Sequence, residues 1–229
     1  MKTKSTINIK KCSKTVLADL ENTFKFSGQV VRFMIGERVL YCFDKLPSGS
    51  MILCNIYDNS NSEVILPDGF KVGGYLSLLS CAITFSDELI VAGDTYIEHC
   101  DINSISRRSR ITSGGRFTWQ ALPNDWIQSD MSNLEICANE SIDIQIRNMK
   151  IPPKVMRTNG PLSLSGCISL SKLPDDLSVG GDLFLWGCEN ITEIPENARI
   201  DGEIYTRDTG ISEEYIRLHD QWNWRRRVE

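Results

Sequence analysis

Residues 173–188 read Leu173-Pro-Asp-Asp-Leu-Ser-Val-Gly-Gly-Asp-Leu-Phe-Leu-Trp-Gly-Cys188, and residues 66–81 read Leu66-Pro-Asp-Gly-Phe-Lys-Val-Gly-Gly-Tyr-Leu-Ser-Leu-Leu-Ser-Cys81. The second glycine of each copy, Gly181 or Gly74, serves as the reference position of the repeat. Further copies have their reference positions at Gly93, Gly115, Gly160 and Gly202, and a degenerate copy has Asp130 there. A repeat of about 20 residues predicts a solenoid, because each unit can bury one face only by stacking on its neighbours.

A short strand is predicted just after each reference position. Because side chains alternate along a strand, the residues two and four steps after the reference position should point inward. These predicted inward pairs are Leu76/Leu78, Thr95/Ile97, Phe117/Trp119, Ser132/Leu134, Leu162/Leu164, Leu183/Leu185 and Ile204/Thr206. The glycines suit a tight turn into the strand, where a positive φ is often required.

Five of the eight cysteines lie seven steps after a reference position. They are Cys81, Cys100, Cys137, Cys167 and Cys188. Stacked positions of a solenoid are about 4.8 Å apart, so we expect a buried ladder in which reduced cysteine acts as a small apolar side chain. Reduced thiols indicate folding in a reducing cytosol. The chain has no Cys-x-x-Cys pair and only two histidines, so we expect no metal site.

The C-terminal repeat resembles a known family. Leu183-Phe-Leu-Trp-Gly-Cys188, followed by Ile191 and Ile194-Pro195, is similar to the leucine-rich repeat core Leu-x-Leu-x-x-Asn/Cys. The Leu-Pro entry and the length near 20 residues resemble the short repeats of bacterial type III secreted effectors. The resemblance covers about residues 46–210, and it differs from that class in the ladder cysteines, a Val-Gly-Gly insertion and uneven spacing. It implies a mainly β, leucine-rich-repeat-like solenoid that acts by binding host proteins.

The segment before the repeats is predicted to be a cap. Residues 1–45 do not carry the motif, and we expect a small α+β N-terminal cap or a secretion and targeting region. A helix is predicted over Ser13–Phe24, because Val16, Leu17 and Leu20 share one helical face. A hairpin is predicted to join Gln29–Ile35 to Arg38–Phe43.

The repeats are predicted over residues 46–210, with a degenerate first coil that begins at Leu46-Pro47. The spacing is irregular between Gly115 and Gly160, where residues 140–149 are interpreted as an insertion. Residues 211–229 are predicted to form a C-terminal capping helix with Ser212 as its N-cap. Its apolar stripe is predicted from Ile211, Tyr215, Leu218 and Trp222. Arg225–Arg227 are predicted to make its last turn basic.

Composition narrows the classes of partner. The 229 residues are 41% apolar and 24% charged, which is ordinary for a soluble globular protein. A net charge of −5 argues against a nucleic-acid partner, and no run reaches the ~18 apolar residues of a membrane span. The first 20 residues lack the apolar stretch of a Sec signal peptide, whereas their Lys, Ser, Thr and Ile content is compatible with type III secretion.

The outward strand positions are the candidate binding surface. They are Ser77, Tyr96, Thr118, Asn133, Ser163, Phe184 and Tyr205, three steps after the reference positions, and Leu79, Glu98, Gln120, Glu135, Ser165, Trp186 and Arg207, five steps after them. Aromatic residues and arginine dominate interface hot spots. The predicted partner-binding residues are Tyr96, Glu98, Phe184, Trp186, Tyr205 and Arg207. In the alternative interpretation, the C-terminal helix or a loop covers the aromatic residues.

Enzymatic function is not predicted, and no cofactor or catalytic residue is expected. The chain has no Walker loop, dinucleotide fingerprint or Gly-x-Ser-x-Gly motif. Cys100 adjoins His99 and Asp101, but sequence neighbours on a strand point to opposite faces. Three other cysteines, Cys12, Cys42 and Cys54, lie outside the ladder.

Three functions therefore stay open. The leading hypothesis is a monomeric, non-enzymatic, protein-binding solenoid, made in the bacterial cytoplasm and secreted as an effector into a host cell. The second keeps the fold but makes the chain a phage or mobile-element inhibitor that masks a bacterial defence enzyme. The third makes residues 1–60 a small cysteine-dependent catalytic domain, or a targeting domain, with the repeats as its substrate receptor.

Overall fold

The computed structural model describes residues 7–8, 33–35, 38–41, 51–52, 56–58, 63–65, 68–80, 82–85, 87–121 and 130–225. One short helix, α1 (Glu213–Leu218), occurs among these residues. In chain order the strands are β1 (Ile7–Asn8), β2 (Phe33–Ile35), β3 (Arg38–Tyr41), β4 (Met51–Ile52), β5 (Ile56–Asp58), β6 (Glu63–Ile65), β7 (Phe70–Val72), β8 (Leu76–Leu79), β9 (Ala82–Phe85), β10 (Glu88–Val91), β11 (Thr95–Glu98), β12 (Asp101–Ile105), β13 (Ser109–Ser113), β14 (Phe117–Gln120), β15 (Leu134–Ala138), β16 (Ile142–Gln145), β17 (Val155–Thr158), β18 (Leu162–Ser163), β19 (Asp176–Val179), β20 (Leu183–Phe184), β21 (Arg199–Ile200), β22 (Glu203–Tyr205) and β23 (Asn223–Arg225).

The strands form a parallel β-solenoid of about 7 turns of roughly 21 residues each. The strands lie in three sheets, which we call A, B and C. Along the chain, each turn contributes one strand to sheet B and then one to sheet A, and the first turns also contribute a third strand to sheet C. Sheet A has the order β2-β3-β1-β5-β8-β11-β14-β16-β18-β20-β22-β23, sheet B the order β21-β19-β17-β15-β13-β10-β7-β4, and sheet C the order β12-β9-β6. The mainly β solenoid expected from the repeat is confirmed.

The core is the column enclosed by the sheets. The predicted inward pairs are buried in every turn except the one placed at Asp130; Leu76, Ile97, Leu162 and Leu183 each have 0% exposure. The pairing is in register, with Tyr96 beside Ser77 and Tyr205 beside Phe184. Like positions of successive turns therefore stack on one another, and the apolar alternation of each unit becomes a continuous interior.

The strands of sheet B were not predicted from the repeat. These strands end just before the corner glycines, and they include the valine of the Val-Gly-Gly sequence by which the repeat differs from the known family. In β7 the side chains of Phe70 and Val72 are buried and Lys71 is exposed, and Leu177 and Val179 are the equivalent buried pair in β19. The reference glycines form the corner between sheets B and A.

Close stacking, rather than a positive φ, explains these corner glycines. Among the described glycines, positive φ occurs at Gly69, Gly166 and Gly187, and the reference glycines are not among them. A Cβ atom on Gly181 would lie 2.9 Å from the backbone carbon of Gly160 and 2.9 Å from the nitrogen of Pro161. The absence of a side chain therefore lets the backbones of successive turns approach each other.

The prediction of a repeat copy at Asp130 is wrong. Glu140 occupies that corner, because its N–H donates to the Gly115 carbonyl at 3.1 Å and the following strand places Asp143 beside Thr118. Residues 140–149 are therefore part of a regular turn rather than an insertion, and Ile142 and Ile144 are its inward pair. Of the predicted pair, Ser132 is exposed, and Leu134 is buried but belongs to sheet B.

The cysteine ladder is confirmed in part. Cys100, Cys167 and Cys188 are buried thiols, and each donates a hydrogen bond to a carbonyl of the preceding turn, as Cys188 does to Leu164 at 3.0 Å. Burial raises the pKa of Cys167 to about 12 and that of Cys188 to about 11. Cys137 is not in the ladder, because the copy at Asp130 was misplaced; it is only partly buried in strand β15 of sheet B. Cys81 lies outside the described residues.

The N-terminal strands extend sheet A by antiparallel pairing, so that their directions alternate. The predicted hairpin is confirmed where it is described, since β2 pairs antiparallel with β3 and places Ile35 beside Arg38. Strand β1 then joins β3 to β5, antiparallel to both. The predicted first turn is also present, with β5 parallel to β8. The helix predicted over Ser13–Phe24 lies outside the described residues.

The C-terminal helix begins as predicted but is shorter. Ser212 is its N-cap, and the Ser212 hydroxyl accepts the Tyr215 N–H at 3.1 Å. The helix ends at Leu218, whose exposure of 68% contradicts the predicted apolar stripe. Trp222 lies beyond the helix, and Arg225 belongs to β23 rather than to a helical turn; residues 226–229 lie outside the described residues.

Strand β23 extends sheet A beyond the last full turn. It pairs parallel with β22 and places Trp224 beside Ile204. Trp222 and Trp224 are partly buried while Asn223 between them is exposed, which is the alternation of a strand. The Trp224 indole N–H donates to the His219 carbonyl at 2.7 Å. The end of the solenoid is therefore covered by α1 and the returning strand together.

Candidate functional site

The outer face of sheet A presents three columns of side chains. They lie one, three and five steps after each corner, and hydrogen bonds between columns show that they share a face. The Tyr96 hydroxyl donates to Asp94 at 2.7 Å, and the Gln145 amide donates to Asp143 at 3.4 Å. The predicted outward residues lie on this face with two exceptions: Asn133 and Glu135 are outside sheet A, and Asp143 and Gln145 take their places.

Three aromatic side chains form a cluster at the C-terminal end of this face. Phe184 and Tyr205 are neighbours in the strand pairing, and their rings stack with centroids 4.7 Å apart and planes at 19°. The Trp186 ring forms a T-shaped pair with each of them, with its centroid 5.4 Å from that of Phe184 and planes at 71°, and 6.0 Å from that of Tyr205 and planes at 90°. The stacked pair and the perpendicular indole make an aromatic corner, defined by Phe184, Trp186 and Tyr205.

The aromatic corner opens into a cavity of about 550 Å³. Its lining residues are Phe184, Trp186, Gly187, Tyr205, Arg207 and Asp208. Trp186 is 44% exposed, which makes it one of two exposed large apolar residues within the described part of the chain. The Arg207 guanidinium and the Asp208 carboxylate at the rim are 3.4 Å apart. None of these lining residues belongs to α1.

Two tyrosines on the face are held by the same local contact. The Tyr205 hydroxyl donates to the Glu203 carboxylate at 2.8 Å, just as Tyr96 donates to Asp94. Tyr96 and Glu98, the other predicted binding residues, lie on the same face in β11. Four strand spacings separate β11 from β20 in sheet A, which is about 19 Å. The predicted residues thus share one surface, but only Phe184, Trp186, Tyr205 and Arg207 form one cluster.

Carboxylates also link successive turns on this side of the solenoid. Asp94 accepts the backbone N–H of Arg116 at 2.8 Å, and Asp182 accepts that of Glu203 at 2.9 Å. Burial alone would raise the pKa of Asp94, but the hydrogen bonds from Arg116 and Tyr96 together lower it below its usual value. Asp94 is therefore ionised at neutral pH.

The acidic residues of the face outnumber the basic ones. From β8 to β22 the outer positions hold the acids Asp94, Glu98, Asp143, Asp182 and Glu203, and the bases Arg116 and Arg207. Asp143, Asp182 and Glu203 were not among the predicted site residues. The alternation of Ile142 and Ile144 was the signal that could have placed Asp143 on this face.

The cysteine suggested for catalysis is buried. Cys100 has 0% exposure, and its thiol lies 3.2 Å from the Glu98 carbonyl and 3.4 Å from the Leu78 carbonyl. His99 lies in the turn after β11 with φ of 53°. Cys12, Cys42 and Cys54 lie outside the described residues. Within the described ranges, no group of three His, Cys, Asp or Glu side chains is arranged to hold a metal ion.

No family model, curated protein or solved structure matches the chain. Among the described residues, the structure has no helix with the length and apolar character needed to cross a membrane.

Proposed function

We propose that the chain is a monomeric, non-enzymatic solenoid that binds another protein through the outer face of sheet A. The observation that supports this proposal is the aromatic corner, in which Trp186 is 44% exposed beside Phe184 and Tyr205. A contiguous exposed apolar patch is typical of an interaction site. Aromatic residues and arginine are also the residues most enriched among interface hot spots.

The shape of the aromatic corner favours binding over a purely structural role. The inward residues of the same strands, Leu183, Leu185 and Ile204, already fill the core with 0% exposure. The rings of Phe184 and Tyr205 are pre-ordered by their mutual stacking at 4.7 Å. A partner that packs on rings already fixed in place loses little side-chain entropy, which favours affinity.

The experiment is a quantitative capture of proteins from host and bacterial lysates. The baits are the wild-type chain, Trp186→Ala and Tyr205→Ala, with Leu218→Ala as a control, because Leu218 is exposed but lies on α1. The proposal expects a defined set of proteins that binds the wild type and the control, and binds each corner variant at least about tenfold more weakly. Identical captured proteins with all four baits would contradict it.

We extend the proposal to delivery of the chain as a bacterial type III secreted effector. Its support is the Leu-Pro repeat and the Lys, Ser, Thr and Ile content of the first 20 residues. Residues 1–45 fused to a reporter should be exported by a bacterium with a working type III system and retained by a secretion-deficient mutant of the same strain. Equal export from both strains, or export from neither, would refute this extension.

A further inference from the structure

The charge on the outer face of sheet A indicates which kind of protein segment would bind there. Five acids and two arginines lie on the face between β8 and β22, and Arg116 is already paired with Asp94 at 3.2 Å. Arg207 is likewise close to Asp208. The two basic side chains are thus each matched by a neighbouring carboxylate, and the remaining charge of the face is negative. A positively charged partner is therefore electrostatically complementary to this face.

The aromatic corner suits the same kind of partner. A lysine or arginine side chain is attracted to an aromatic face when it lies within about 6 Å of the ring centroid, and tryptophan is the best of these rings. Here Trp186 and Tyr205 are perpendicular, with centroids 6.0 Å apart, so a cation in the corner can approach both rings. The Tyr205 hydroxyl donates to Glu203, which places a carboxylate next to the second ring.

The length of the outer face sets the length of the partner segment that can lie across it. Five strand spacings separate Tyr96 in β11 from Tyr205 in β22, a distance of about 24 Å. An extended peptide covers this distance with about seven residues. A segment that crosses the strands from the aromatic corner would pass Asp143 at the middle of the face and reach Glu98 at its far end.

We propose that the partner contributes a basic, extended segment of about seven residues, with one lysine or arginine seated in the aromatic corner. This inference rests on the proposed function, because it uses the same face as the binding surface. The acids of the other turns hold the remaining basic side chains of the segment. The aromatic corner thus holds one basic side chain in place, and the acidic residues of the face make it select a positively charged segment.

The test uses synthetic peptides and the full chain. A fluorescent eight-residue peptide of alternating Arg and Ala is compared, by fluorescence anisotropy, with versions in which Gln or Glu replaces every Arg. We expect the Arg peptide to bind at least about tenfold more tightly than the Gln peptide, to bind more weakly at higher salt, and the Glu peptide not to bind. Equal binding of the Arg and Gln peptides would overturn the inference.

Variants then locate the binding. Trp186→Ala should weaken the Arg peptide at least about tenfold, and Trp186→Phe should weaken it less because an aromatic face is kept. Glu98→Gln with Asp143→Asn should weaken it about three- to tenfold, while Glu193→Gln, an exposed acid outside sheet A, should leave it unchanged. Melting curves identify any variant that has failed to fold. Loss of binding with the Glu193 variant, or none with the Trp186 variants, would refute the assignment to this face.

The outcomes separate this inference from the proposed function. If captured proteins are lost with Trp186→Ala but the Arg peptide does not bind, the basic segment is wrong and protein binding stands. If neither the peptide nor any captured protein responds to Trp186→Ala, both proposals fail. A Trp186-dependent dimer in sedimentation would make a second copy of the chain the occupant, and Trp186-dependent binding of a neutral oligosaccharide would make it a glycan; either result overturns the inference.

Discussion

Asp94 shows how one side chain can join two turns of the solenoid. Its carboxylate accepts the Arg116 N–H, the Tyr96 hydroxyl and the Arg116 guanidinium. Asp182 makes the first of these contacts again, four turns further along. At the corner, where the chain changes direction, the aspartate carboxylate thus accepts the backbone N–H of the next turn in place of a strand carbonyl.

Asp94→Asn should lower the free energy of unfolding by about 1 kcal/mol at neutral pH, because hydrogen bonds to a charged acceptor are lost. The pKa of Asp94 is lower in the folded chain than its usual 3.8. The carboxylate therefore stabilises the fold above pH 3.8, and this contribution is lost as the pH falls through the folded-state pKa. Urea unfolding of both proteins at pH 7 and at about pH 2.5 should show the difference shrinking in acid. A difference that does not change with pH would refute this account of Asp94.

The cysteines should differ in reactivity although each was predicted at the same position of the repeat. Cys100, Cys167 and Cys188 are buried, and burial raises the pKa of Cys167 to about 12. Cys137 is partly exposed, and burial raises its pKa above the usual thiol value, although the nearby Arg110 and Arg157 offset part of this rise. Because the thiolate is the reactive form, native labelling at pH 8 followed by mass spectrometry should modify Cys137 before the three ladder cysteines. Equal rates at all four positions would contradict the strand register.

The corner glycines should respond to substitution according to the space around them. Alanine at position 181 would place its Cβ 2.9 Å from backbone atoms of the preceding turn, whereas alanine at position 93 would place it 3.2 Å from the Gly74 carbonyl oxygen. We expect Gly181→Ala to cost about 2–3 kcal/mol of unfolding free energy and Gly93→Ala about 1 kcal/mol. Chemical denaturation measures both values. Equal costs would mean that close stacking is not the reason for these glycines.

Tyr215 joins the capping helix to the solenoid by two hydrogen bonds. The Tyr215 hydroxyl accepts the Ile194 N–H at 3.0 Å and donates to the Ile194 carbonyl at 3.0 Å. Tyr215→Phe keeps the ring but leaves both backbone groups without this partner, so it should destabilise the chain by about 1–3 kcal/mol. Leu218→Ala, on the exposed side of the same helix, should change stability by less than about 0.5 kcal/mol. Thermal melting compares the two, and the reverse order would show that α1 packs through its other side.

The strands of sheet A were predictable because they repeat a simple signal. An inward pair two and four steps after a glycine corner, with at least one apolar member, is sufficient to place β8, β11, β14, β18, β20 and β22. The turn at β16 was misplaced because Thr118 pairs with Asp143, 25 positions later, whereas Asp143 pairs with Ser163, 20 positions later. Cys137 lies seven positions after Asp130 by coincidence and reinforced the wrong spacing. The Ile142/Ile144 alternation carried the correct information.

The remaining differences arise from tertiary context. Trp222 and Trp224 fit a helical stripe or a strand alternation equally well over so short a segment, and pairing with β22 decides for the strand. The strands of sheet B hold two to five residues, so each alone shows little periodicity, and unlike the strands of sheet A they have no repeated glycine corner before them to mark where they begin. Both elements exist because the neighbouring turn supplies their hydrogen bonds.

The outer face of the whole solenoid was predictable in composition but not in layout. Strand alternation correctly placed Phe184, Trp186 and Tyr205 outward on adjacent strands. The sequence could not show that their rings stack into a corner beside a cavity of about 550 Å³, because this depends on the side-chain packing of two turns. It also missed the acids contributed by the misassigned turn, which give the face its negative charge.

The measurement that tests the central claim most directly compares stability and binding in the same variants. If the aromatic corner is a binding surface, Trp186→Ala should change the free energy of unfolding by less than about 1 kcal/mol while the captured proteins bind at least about tenfold more weakly. Trp119→Ala is the control, because Trp119 is 1% exposed and its loss should cost about 3–5 kcal/mol. A Trp186→Ala variant that is as unstable as the Trp119 variant, yet binds its proteins with unchanged affinity, would show that the aromatic corner belongs to the core and that the interface lies elsewhere.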